Sequence, residues 1–121
     1  MAGSRRMLCH GIGTPSNPAW SDDAERQVKE LKIDAWKFYT GDPVGPWRHD
    51  DEKVAYPFYD RTLKLGVRNI CTHKGLPLPG PGKDFFRPDD VLKAAKDWPD
   101  INFIVFHSGM QHMMTTVPPG E

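Results

Sequence analysis

Short apolar runs alternate along the chain with longer stretches whose apolar positions recur at helical spacing. The runs are Met7-Leu8-Cys9 leading into His10-Gly11-Ile12-Gly13, then Ile33 to Tyr39, Val67 to Thr72, and Ile101 to Phe106. The last is almost wholly apolar, which predicts a strand buried on both faces. Between the first two, Asp22 with Glu25 predicts a capping box. The helix it opens has Ala24, Val28 and Leu31 on one face and Lys29 and Lys32 near its end. A second helix is predicted to begin near Asp51 or Pro57, with Phe58, Thr62 and Leu65 as its buried stripe and Gly66 just past its end. A third opens at Pro88 with Asp89 and Asp90 in its first turn. Val91, Leu92, Ala95 and Trp98 lie along one side, and Pro99 stops it. The order β-α-β-α-β-α-β implies an α/β fold with parallel strands joined by right-handed crossovers.

Composition adds limits to this pattern. Sixteen Lys and Arg balance sixteen Asp and Glu, which argues against a nucleic-acid or membrane-surface partner, since both are usually met by a basic excess. Eleven glycines and twelve prolines in 121 residues exceed the combined level of about 12% in ordinary proteins, so loops punctuate the chain densely. They concentrate at 14–18, 40–43 and 76–82. The length allows a single domain over 1–121, with its core at 7–109 and an irregular tail at 110–121. No apolar run approaches the roughly 20 residues that span a bilayer, and Met1 to Arg6 lacks the apolar stretch of a secretory signal. Cys9 and Cys71 form no framework and no CxxC pair, so buried, inert thiols in a reduced, cytoplasmic setting are expected.

In parallel sheets, ligands bind beyond the carboxyl ends of the strands. His10, His73 and His107 each follow an apolar run and each has a glycine within two residues. A histidine there can bind a metal or move a proton, or it can simply cap a strand as a half-buried hydrogen-bonded ring. Lys37 to His73 and His73 to His107 are about 36 and 34 residues apart, each close to one βα repeat of roughly 30 residues. That coincidence favours a functional role for His73 and His107. Lys37, on an otherwise apolar strand, reads as a lysine reaching solvent, as a substrate anchor, or after carbamylation as a metal ligand. Gly11-Ile12-Gly13 lacks the third glycine of a dinucleotide loop, Gly82-Lys83 lacks the rest of a P-loop, and no G-x-S-x-G elbow exists. Asp22, Asp23, Asp50, Asp51, Asp89 and Asp90 are expected to cap helix starts. The aromatic loop around Trp47 is the one hint of a small-molecule binding module.

Asp34-Ala35-Trp36-Lys37-Phe38-Tyr39, Tyr56-Pro57-Phe58-Tyr59, Ile70-Cys71-Thr72-His73-Lys74-Gly75 and Trp98-Pro99-Asp100 leading to His107-Ser108-Gly109 stand in this order and spacing. Over these segments the chain resembles the amidohydrolase-related family of metal-dependent (β/α)8-barrel enzymes. The resemblance implies a partial TIM barrel of about four βα units, strands three to six of eight. It implies that His73 is a metal ligand and that His107 is a second ligand or the catalytic acid/base. Lys37 and Lys74 are the candidate substrate-binding residues; in the register of the resemblance Lys37 falls on the fourth strand, where some branches of the family use a carboxylated lysine. The chemistry implied is hydrolysis of an amide, ester or related bond of a small molecule by a metal-activated water, zinc being the usual metal, with non-hydrolytic decarboxylation as the runner-up. The family's first-strand His-x-His pair has no counterpart here, nor does its last-strand aspartate. His73 and His107 give two of the three protein ligands that a catalytic zinc requires. The zinc is therefore assigned to the full-length parent, and this chain reads as the middle half of a barrel, catalytically incomplete. It is expected either to need its missing half or to self-associate as a non-catalytic half-barrel.

Overall fold

The computed structural model describes residues 8–41, 45–74, 85 and 87–106. The elements are β1 (His10–Ile12), α1 (Trp20–Leu31), β2 (Ala35–Phe38), α2 (Tyr56–Leu65), β3 (Asn69–His73), α3 (Asp89–Asp97) and β4 (Asn102–Phe106). The strands form one sheet in the order β1-β2-β3-β4, and every neighbouring pair is parallel. The chain is an α/β protein in which an all-parallel four-stranded sheet alternates with helices, as the apolar runs predict.

Local chemistry sets the helix ends. α1 starts two residues before the expected Asp22, because Asn17 supplies the turn: its carbonyl accepts from Trp20 N–H and its side chain from Ala19 N–H. Ala19 stands at the cap position without a side-chain bond, so the Asp22–Glu25 capping box does not form. Asp23 instead binds Arg26 and Gln27. Asp51 does cap, accepting from the N–H groups of Lys53 and Val54 in the turn that leads into α2. At the far end Gly66 takes a left-handed φ of 87°, and its N–H and that of Val67 satisfy the carbonyls of Leu63 and Thr62.

All three helices lie on one face of the sheet. Trp36 of β2 donates from Nε1 to Thr62 of α2 at 2.6 Å and meets Phe58 edge-on at 5.0 Å. Phe58 also packs on Phe38 and Trp20, while Tyr59 packs on Phe103 of β4 and on Trp98 beyond α3. Each such aromatic pair adds about 0.5–1.5 kcal/mol to the burial of its rings. Trp47 belongs to this core, buried against Phe38 and His49, so this side chain serves packing. In α2 the buried face is Phe58, Tyr59 and Thr62, with Leu65 only half-buried. In α3 the buried side is Asp90, Val91 and Ala94, whereas Leu92 and Ala95 face solvent.

Two glycines are fixed by close packing. A Cβ on Gly13 would lie 1.6 Å from the Phe38 ring, and one on Gly11 would strike Gln27, Ile33 and Trp36. The Gln27 side chain of α1 reaches this bare backbone, accepting from Ile12 N–H at 2.9 Å and donating to Ile12 O at 3.0 Å. β4 is not buried on both faces as its composition predicts. It pairs only with β3 among the described residues, and Ile104, on the side away from the helices, is 43% exposed.

Candidate functional site

Strand alternation divides the chemistry between the two faces. Trp36, Phe38, Ile70, Thr72 and Phe103 point to the helices. Lys37, Cys71, His73, Ile104 and Phe106 point away from them. The register differs from the sequence periods. Lys37 pairs with Cys71, and His73 pairs with Phe106, so the ladder does not set Lys37 and His73 level with one another. His107 lies outside the described residues. His10 opens β1, opposite Ala35, at the amino end of the sheet and exposed. It is thus removed from the carboxyl-end cluster in which the sequence pattern had put it, because the strand starts at the histidine rather than ending there.

On the helix-free face, His73 closes β3 and its half-buried ring stacks on Tyr39 at 5.4 Å. Lys37 is 9% exposed and reaches over the small Cys71 side chain to place Nζ 3.3 Å from the centre of the Phe106 ring and 5.5 Å from that of Tyr39. Among the described residues no hydrogen bond or ion pair holds it. Burial pulls the Lys37 amine below the ordinary lysine range, with the neighbouring Cys71 opposing, and burial raises the Cys71 thiol, with Lys37 opposing. The aromatic contact favours the ammonium by up to about 2 kcal/mol. Removing an ion from water costs several kcal/mol, so desolvation outweighs it. Cys71 is buried and Cys9 half-buried, both as free thiols.

The helix-covered face holds a polar network that sequence reasoning missed. Lys74, just past β3, is fully buried. Its Nζ donates to Thr40 Oγ1 at 2.8 Å, to Phe85 O at 2.7 Å and to Asp90 Oδ2 at 3.0 Å, with Asp90 Oδ1 at 2.9 Å. Burial lowers the Lys74 amine and Asp90 pulls it back up. With its three donors engaged inside the fold, Lys74 ties the carboxyl end of β3 to the first turn of α3. Asp90 is correspondingly no helix cap: its Oδ2 also accepts His49 N–H at 2.7 Å. The His49 ring is fully buried between Tyr59 Oη, 2.6 Å from Nδ1, and Thr72 Oγ1, 2.8 Å from Nε2. Tyr59 gives its only proton to His49 O at 3.0 Å, so Nδ1 carries the ring proton and Nε2 accepts from Thr72. Burial, helped by nearby Lys74, holds His49 well below the ordinary histidine value, and burial pushes Tyr59 well above the usual phenol range. The signal for Asp90 was present in the helical arithmetic: it lies four residues before Ala94 and next to Val91, on the buried side. His49, in an irregular loop, had no such signal.

A metal centre does not fit what is described. Among the described residues no three His, Cys, Asp or Glu side chains gather closely enough to hold an ion. His107, the other ligand expected from the sequence, lies outside the described residues. Among the described residues no helix is long and apolar enough to cross a membrane. In comparison with known proteins, no family model matches the chain, and no curated protein or solved structure matches it.

Proposed function

We propose that this chain forms four consecutive units, the third to sixth, of an amidohydrolase-related (β/α)8 barrel serving hydrolysis of a small-molecule amide, ester or related bond, and that by itself it lacks a complete active site. The observation that carries this reading is the sheet: strands pair in chain order, all parallel, with every helix on one side. Such a sheet curls into a barrel whose helix-free face is the interior. His73 then stands at the catalytic rim, and Lys37 projects into the interior below it. Because the described donors do not build a metal centre, no metal-borne step is assigned to this chain.

A zinc titration of the chelator-washed protein, followed calorimetrically and paired with an ester-hydrolysis assay, tests the reading. Binding weaker than stoichiometric capture and no zinc-dependent turnover are expected. One tightly held zinc per chain with turnover would overturn the incompleteness. A second reading, self-association of the half-barrel, is favoured by Ile12 on one outer strand and Ile104 on the other, 51% and 43% exposed on the helix-free side. Sedimentation of the same preparation separates the two, since a monomer at high concentration contradicts self-association.

A further inference from the structure

We infer that Lys37 is a carbonyl-capturing amine, able to form an imine with a small aldehyde or ketone that carries an apolar or aromatic group. The inference concerns the lysine's own surroundings and stands whether or not the sheet belongs to a barrel. Lys37 is the centre of an otherwise apolar strand, nine-tenths buried, and no carboxylate among the described residues pairs with it. Lysines elsewhere in the protein are handled differently: Lys29, Lys64 and Lys93 are exposed and ion-paired, and Lys74 is buried against Asp90.

The walls around Nζ are the Phe106 and Tyr39 rings, which suit an aromatic or apolar substituent next to the carbonyl. Among the described residues the titratable groups facing the amine are the Cys71 thiol directly across on β3 and, one pair further along, the His73 imidazole; on β1 the partner there is Ile12. Desolvation leaves more of such an amine neutral than at an exposed lysine, which is the general means of making lysine nucleophilic near neutral pH. Tyr39 is itself exposed, so this end of the cluster opens to solvent.

In the step, the neutral amine attacks the carbonyl carbon. The C–N bond forms as the C=O π bond breaks, and an amine proton passes to the oxygen. The carbinolamine hydroxyl then takes up the second amine proton by way of solvent and leaves as water while the C=N bond forms. No oxidant or reductant is needed.

Benzaldehyde with cyanoborohydride at mildly alkaline pH tests this, the hydride reducing any imine to a stable secondary amine that peptide mass spectrometry locates. In the folded chain Lys37 is expected to label ahead of the exposed Lys29, Lys64 and Lys96, by about tenfold for each pH unit by which its titration falls below the ordinary lysine value. The lead should vanish in urea. Lys37→Arg, which keeps a cation over Phe106, should remove that adduct alone, and the wild-type comparison among lysines holds even if this variant folds poorly. Labelling at the exposed lysines first, with Lys37 no faster, overturns the inference.

Discussion

Lys74 and Lys37 are both buried cations at the carboxyl-end half of the same sheet, one on each face, and they are accommodated in opposite ways. On the helix-covered side Lys74 has a carboxylate, a hydroxyl and a carbonyl arranged around it, and Asp90 in turn takes the His49 amide. On the helix-free side the described neighbours of Lys37 are rings and a thiol. A fold tolerates a buried charge when its hydrogen bonds are satisfied, and an unsatisfied one there points to use rather than support. The network around Lys74 holds together the loops at the strand ends; the lysine opposite is left chemically available.

The largest effect expected from breaking this contrast is at Asp90. Asp90→Asn leaves Lys74 charged and buried without its counter-ion, and a loss of about 3–5 kcal/mol in urea-unfolding free energy is expected. Adding Lys74→Met should recover most of it, because the double variant has no orphaned charge. A small loss in the single variant would mean that the pair is solvated rather than sealed.

The next effect is in pH. His49 is held neutral when folded, with its proton affinity depressed, while in the unfolded chain it titrates near 6.5. Between those values the unfolded state binds the extra proton, so stability is full above about pH 6.5 and declines as pH falls. The slope is about 1.4 kcal/mol per pH unit for one site, until the folded value is reached. His49→Gln should flatten that part of the stability profile, measured by urea unfolding at a series of pH values.

Much of the architecture was legible because periodicity reports it directly. Trp36 and Phe38, Phe58 and Thr62, and Gly66 all stand where their spacing puts them. What spacing could not supply was the register. A strand start shifted by a few residues moved His10 to the opposite end of the sheet, and the ladder set His73 beside Phe106 rather than level with Lys37. Helical spacing from Val91 and Ala94 does separate the buried Asp90 from the exposed Asp89, but it does not reveal that Lys74 is the partner of Asp90. His49 emerged only when its loop met three strands and two helices, through Phe38, Thr72, Phe103, Tyr59 and Asp90.

The smallest but most direct test is the titration of the lysines themselves, followed through their side-chain carbon resonances next to Nζ in isotope-labelled protein, with Lys37→Met to assign the signal. Lys37 should titrate below the ordinary lysine range, and its curve should be the one that disappears in the variant. If Lys37 instead titrates within the ordinary lysine range, the helix-free face does not desolvate its amine, and the contrast between the two faces fails.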